Sequence, residues 1–171
     1  MNSSVDNIND ERVQFPNIST LATNDHSESP DRYVKTRSIF EQENIQNKLP
    51  VLLVEDDTIT QEVIKLFLHD RFIIDLAVNA EEALKKVIEN EYLAVLMDIN
   101  LGRGLNGVHV TKEIRRLPGK NRIPIVAQTA FAMKGDKEEF FSAGCDYYLA
   151  KPFSKEELRS VLFQIHCSRA T

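Results

Sequence analysis

Four apolar runs in this sequence end on a residue able to do chemistry. "PVLLVEDD" closes on Glu55, Asp56 and Asp57, "YLAVLMD" on Asp98, "IPIVAQT" on Thr129 and "DYYLAK" on Lys151. Carboxylates held close together repel one another and are driven toward protonation unless a cation neutralises them. A hard divalent ion with oxygen ligands suits such a group, Mg²⁺ for preference, and it typically takes one or two carboxylates plus a substrate phosphate. That leaves one acid free to react. Asp98 follows the most continuous apolar run and is the candidate nucleophile. Its attack on phosphorus would give an aspartyl phosphate, a known form of covalent catalysis. Such a transfer concentrates charge on the phosphoryl oxygens, so the site needs a fixed cation and a hydroxyl beside the metal. Lys151 and Thr129 are residues of those types. Taken singly, each has a plainer explanation. Asp57 beside Thr58 suits a turn or cap, Lys151 before Pro152 suits a solvated loop, and Thr129 suits an ordinary strand end. Joint occurrence at the ends of four runs favours the chemical explanation.

Elements of the right kind must bring these residues together. "PVLLVE" (50–55) reads as a strand, and "TITQEVIKLFLHD" follows as a helix behind a Thr58/Gln61 capping box, with Ile59, Val63, Ile64 and Phe67 at helical spacing. "FIIDLA" (72–77) is a second strand, and the next helix opens at Asn79 with Glu82 in its first turn and Leu84, Val87 and Ile88 on one face. "YLAVLMD" (92–98) reads as the central strand, buried on both faces, and the helix 107–117 after it stops at Pro118. "IPIVAQT" (123–129) precedes a helix ending at Gly144. "DYYLAK" (146–151) precedes a last helix with a Ser154/Glu157 capping box and Leu158, Val161, Leu162 and Ile165 inward. Strands alternating with helices imply a parallel sheet covered on both faces, whose ligand site lies at the carboxyl ends of the strands. The expected fold is therefore α/β, a doubly wound, five-stranded parallel sheet.

The 171-residue chain is long enough for one such domain with some length to spare. Residues 1–48 are rich in Asn, Ser, Asp and Glu without sustained periodicity, so the expected division is a disordered polar tail over 1–48 and one domain over 49–171. Within the tail, "SIFE" (38–41) has capping-box spacing. The net charge of −5 offers no broad basic field for a nucleic-acid backbone. No segment approaches the roughly 20 apolar residues of a membrane span, and "MNSSVDNINDER" lacks a signal-peptide core, so a cytoplasmic protein is expected. Cys145 and Cys167 lack metal-ligand spacing and read as free thiols.

Four motifs in order resemble the receiver domain of two-component response regulators: "VEDD" (54–57), "LMDINLGRGLNG" (96–107), "AQTA" (127–130) and "YYLAKPF" (147–153). The resemblance covers about residues 49–167. It implies the flavodoxin-like strand order 2-1-3-4-5 and a phosphoacceptor switch that takes a phosphoryl group from a phosphohistidine of a sensor histidine kinase or histidine phosphotransfer protein onto Asp98. The implied Mg²⁺ ligands are Asp56 and Asp98, Glu55 through water, and the backbone carbonyl of Asn100. Lys151 would contact the phosphoryl group, with a cis bond to Pro152. Thr129 would be the switch hydroxyl, and Tyr148 the aromatic that turns inward as Thr129 moves. The output would be a changed surface on helix 4, strand 5 and helix 5, read by an unidentified protein target, with a phosphorylation-dependent homodimer open. A stand-alone regulator and a receiver from a hybrid histidine kinase both fit. An aspartyl-nucleophile phosphatase needs a general acid two residues past the nucleophile, where this chain has Asn100. A nucleotide-binding domain would need a phosphate-binding glycine pattern after the first strand, and none is there.

The chain departs from the family's usual pattern in its acceptor loop. "INLGRGLNG" reaches Gly107 nine residues after Asp98, one more than usual, and is richer in glycine, which widens its backbone freedom. Phe131, two positions beyond Thr129, is expected near the path of hydrolytic water. A bulky apolar group there should hinder in-line attack and lengthen the life of the phosphoryl group. Label on Asp98 is expected to persist well beyond seconds in Mg²⁺ buffer, as followed by its loss from the purified phosphoprotein, and loss within seconds refutes the role given to Phe131.

Overall fold

The computed structural model describes residues 13–14, 48–102, 106–130 and 136–169. The elements are β1 (Leu49–Val54), α1 (Thr58–Leu68), β2 (Phe72–Ala77), α2 (Ala80–Glu89), β3 (Ala94–Asp98), α3 (Gly107–Arg116), β4 (Ile125–Thr129), α4 (Asp136–Ala143), β5 (Tyr147–Ala150) and α5 (Lys155–Arg169). Five strands pair in parallel in the order β2-β1-β3-β4-β5. This is the order the family resemblance implied. One strand more is present: Val13–Gln14 pairs antiparallel with the outer edge of β5, Val13 opposite Leu149 and Gln14 opposite Tyr148. Unpaired backbone on an edge strand accepts an added strand readily. The "SIFE" segment, loop residues 103–105 and Phe131 lie outside the described residues.

Both faces of the sheet are covered, which is why β3 and β4 are buried along their whole lengths. On one face Ala83 and Val87 of α2, Val110 and Ile114 of α3, and Phe140 and Ala143 of α4 pack on Leu52, Val95 and Ile125. On the other, Ile64 and Leu68 of α1 meet Leu158, Val161, Leu162 and Ile165 of α5 over Leu53, Leu96 and Val126. The inward set expected of α5 is thus found. The faces of α1 and α2 differ from expectation. Ile59 and Val63 of α1 are exposed while Gln61, Ile64 and Leu68 are buried, and Ile88 of α2 is exposed while Ala83 is buried. Apolar spacing marks a helix, but two adjacent stripes satisfied it here, and the stripes through Gln61, Ile64 and Leu68 and through Ala83 and Val87 took the inside.

Caps explain where the helices begin. Ser154 and Glu157 form the reciprocal box, the Ser154 N–H donating to Glu157 Oε2 at 2.6 Å and the Glu157 N–H to Ser154 Oγ at 3.1 Å. Asn79 Oδ1 accepts from the Glu82 N–H at 2.9 Å. α1 corrects the reading of its start. Its cap is Asp57, whose Oδ1 accepts from the Thr60 N–H at 2.7 Å, while Gln61 turns inward to the Glu55 carbonyl at 2.8 Å. The carboxylate one residue earlier reaches the free N–H groups and displaces the expected Thr58/Gln61 pair. Gly144 takes φ +106 at the end of α4, as a left-handed cap requires.

Arg115 ties the end of the sheet opposite the acids. It donates from Nε to the Gly144 carbonyl and from Nη1 to the Ile123 carbonyl, each at 2.8 Å, and from Nη2 to Asp146 Oδ2 at 2.7 Å. Asp146 Oδ2 also accepts from the Ile125 N–H at 2.8 Å, so α3, β4 and β5 share one anchor. Cys145 is buried and Cys167 exposed, both free. No helix among the described residues is long and apolar enough to cross a membrane.

At the other end the acceptor loop closes on itself, the Gly107 N–H donating to the Ile99 carbonyl at 2.9 Å. A Cβ at Gly107 would stand 2.2 Å from the Asp98 carbonyl oxygen and 2.9 Å from Met97 Cγ. Backbone cannot yield as a side-chain tip can. Gly107→Ala is expected to cost roughly 1–3 kcal/mol, in the range of overpacked interiors. Chemical denaturation of both proteins checks this, and an unchanged midpoint would mean the loop relaxes freely.

Candidate functional site

Strand register sets the level of each functional residue. Asp98 is opposite Gln128, Val54 is opposite Met97 and Thr129 is opposite Ala150. Glu55, one residue past β1, therefore stands level with Asp98, and Lys151, one past β5, stands just beyond Thr129. Residues 96 positions apart in sequence, Glu55 and Lys151, meet in an ion pair of 2.6 Å. One carboxylate oxygen each from Glu55, Asp56 and Asp98 lies within 4.8 Å of the others, the one acidic group of this kind among the described residues.

Each acid is held differently. Glu55 is buried, and its N–H donates to the Ala77 carbonyl at 3.0 Å. Its Oε2 accepts from Lys151 Nζ, and its Oε1 accepts from the Asp57 N–H at 3.2 Å. Burial pushes the Glu55 carboxyl up from its ordinary 4.5 to about 6; Lys151 works against this and the nearby Asp98 charge with it. Asp56 is exposed, and its Oδ2 accepts from the Gly102 N–H at 3.0 Å. Asp98 is buried, with Oδ1 accepting from the Asn100 N–H at 3.1 Å and Oδ2 at 3.3 Å from Lys151 Nζ. Asp57 stands apart from the group. Its carboxylate caps α1, and the Thr60 N–H and hydroxyl hold it below the usual carboxylate range.

The resemblance implied that Lys151 contacts the phosphoryl group on Asp98. The lysine in fact lies between two acids and closer to Glu55. Its own N–H donates to the Thr129 carbonyl at 2.8 Å, and its bond to Pro152 is cis, as the resemblance implied. Thr129 is buried at the end of β4. Tyr148 is wholly buried, its ring stacked on Phe140 at 6.0 Å between centroids, with Lys137 Nζ 5.4 Å from the ring centre. The aromatic is thus inward in this arrangement. Two supports went unread in the sequence: the Gly102 N–H on Asp56 and the Gln61 amide on the Glu55 carbonyl. A glycine in a loop and a glutamine in a first turn were their only signals.

Among the described residues, three carboxylates against one lysine leave an excess of negative charge in a mostly buried setting. A hard cation with oxygen ligands fits this donor set, of which Asp56 is the exposed member.

Residues 51–163 match the family model described as the response regulator receiver domain. Hybrid signal transduction histidine kinase I of Dictyostelium discoideum is 39% identical over 120 residues, covering 66% of this chain and 7% of the kinase. The transcriptional regulatory protein ResD of Bacillus subtilis is 32% identical over 113 residues, covering 66% of this chain and 45% of ResD. The chain thus spans less than half the length of these curated relatives. Among solved structures, the receiver domain of a Pseudomonas aeruginosa sensor histidine kinase, with a magnesium ion coordinated in its active-site cleft, has a TM-score of 0.64 and 37% identity over 69% of this chain and 97% of that one.

The raised Glu55 value has a pH consequence. A folded carboxyl at about 6 against an ordinary 4.5 means the folded state holds a proton that the unfolded state has released across that window. The stability this proton contributes is complete below pH 4.5 and lost as pH rises through about 6. In metal-free buffer, wild-type Tm relative to that of Glu55→Gln is expected to fall across that window. Parallel profiles for the two proteins would show that Glu55 does not titrate there.

Proposed function

Because the chain belongs to the response regulator receiver domain family, we propose that it is a phosphoacceptor switch whose Asp98 takes a phosphoryl group from phosphohistidine. The observation that carries this is the convergence of three acids and Lys151 at one edge of the sheet. An Asp98 carboxylate oxygen attacks phosphorus, an acyl–phosphate bond forms, the N–P bond breaks, and its electron pair returns to the imidazole nitrogen. Lys151, already 3.3 Å from Asp98 Oδ2, turns its ammonium to the phosphoryl oxygens. Thr129 supplies the hydroxyl that follows the new charge, and Tyr148 fixes the neighbouring surface as it does so. Asp56, Asp98 and the Asn100 carbonyl, with Glu55 through water, would hold Mg²⁺, which would neutralise phosphoryl charge. The chain then catalyses only its own phosphorylation and dephosphorylation.

The added dianion biases two arrangements of α4, β5 and α5, which a protein target or a second copy reads. On the donor side, α1 begins directly after the acids and exposes Ile59, Val63 and Leu66, one stripe at helical spacing. This apolar face suits docking of the sensor histidine kinase or histidine phosphotransfer protein. The setting is the cytoplasm, without direct nucleic-acid contact. A second reading, a receiver belonging to a hybrid histidine kinase, is favoured by the identities of 39% and 38% to two Dictyostelium discoideum hybrid kinases.

Incubation with acetyl phosphate and Mg²⁺ is expected to add the mass of one phosphoryl group, absent in Asp98→Asn and with EDTA. Release of free phosphate from a phosphoester with no such adduct would favour an aspartyl phosphatase instead. Ile59→Asp with Leu66→Asp is expected to slow transfer from a phosphorylated donor protein at least tenfold, while leaving labelling by acetyl phosphate intact. Equal slowing with both donors would remove the docking role from α1.

A further inference from the structure

Gln128 is the residue immediately before Thr129, and its side chain has no place in the site chemistry above. Neighbouring residues of a strand face opposite ways. Ala127 packs with the α2, α3 and α4 side and Val126 with the α1 and α5 side, so Gln128 shares the face of Val126. It has no exposed surface, and its Oε1 and Nε2 are both buried without a hydrogen-bond partner. Gln61, the other buried glutamine among the described residues, donates to the Glu55 carbonyl. A buried amide left unpaired raises the free energy of the arrangement that contains it, whereas an apolar side chain of similar volume would not.

The backbone around Gln128 joins the strands that must respond to phosphorylation. Its carbonyl accepts from the Ile99 N–H at 2.9 Å, one residue past Asp98, and the Thr129 carbonyl accepts from the Lys151 N–H at 2.8 Å. In register it lies between Asp98 of β3 and Leu149 of β5. Any shift of the acceptor loop or of the Lys151 loop is therefore applied directly to this residue. The penalty is local to the junction that moves.

Building on the receiver reading, we propose that Gln128 is a positioning residue that sets the balance between two arrangements of this junction. Its amide is unpaired when Asp98 is free and gains a hydrogen bond when a phosphoryl group sits there. The cost thus falls on the resting arrangement and favours the phosphorylated one. Removing the amide stabilises the resting protein and weakens its response.

Beryllofluoride with Mg²⁺, a mimic of the phosphoryl group, tests this on the full chain. Gln128→Leu and Gln128→Met are each expected to raise the Tm of the resting protein and to weaken beryllofluoride binding about three- to tenfold, the worth of one net hydrogen bond. In ¹⁵N-labelled wild type, the Gln128 side-chain amide protons are expected to move downfield on adding beryllofluoride, a reading that requires no variant. Raised Tm with unchanged affinity would make Gln128 a packing defect common to both arrangements and overturn the proposal. Lowered Tm in both variants would overturn it too, since the amide would then be bonded at rest. Wild type that binds no beryllofluoride overturns the receiver reading and this inference with it; wild type that binds with unmoved amide protons overturns this inference alone.

Discussion

Negative charge gathered at the carboxyl edge of the sheet, with one lysine against it among the described residues, is the constraint to which the surrounding structure answers. Glu55 and Asp98 are both buried, and an unpaired buried carboxylate is costly enough to change its protonation before it would be tolerated. Lys151 stands between them, at 2.6 Å from one and 3.3 Å from the other. Backbone N–H groups of Asp57, Asn100 and Gly102 donate to Glu55 Oε1, Asp98 Oδ1 and Asp56 Oδ2. The charge is thus partly met by the protein and partly left for a cation.

Such a balance holds only if strands remote in sequence stay in register. The apolar layers on both faces of β3 and β4 supply that rigidity, and Arg115 pins α3, β4 and β5 at the opposite end. At the reactive end rigidity gives way to loops whose hydrogen bonds run across strands: Ile99 to Gln128, Lys151 to Thr129, Gly107 to Ile99. The packed base and the cross-bonded rim are thus held by different interactions. The unpaired amide of Gln128 lies where base and rim meet.

Strand positions and the convergence of Glu55, Asp56, Asp98, Thr129 and Lys151 on one edge were legible in the sequence, because burial on both faces makes continuous apolar runs and polar residues collect where such runs stop, while strand order came from the family resemblance. Helix faces were less legible. Ile59, Val63 and Ile88 fit an inward stripe by spacing yet lie outside, since a period near 3.6 fixes a helix but not which of two adjacent stripes meets the sheet. The α1 cap moved to Asp57 for a local reason, the reach of a carboxylate to free N–H groups.

The sequence by itself determined which residue types stand at the strand ends, and therefore that acids, a hydroxyl and a lysine would share one edge. Only the tertiary structure decided how they divide the work: Lys151 closer to Glu55 than to Asp98, Asp57 spent on a cap, Gly102 on Asp56, and Gln128 sealed in without a partner. The physical reason is range. Patterning and strand-end chemistry are local along the chain, whereas hydrogen bonds and ion pairs at this edge depend on distances of a few ångströms between segments up to 96 residues apart.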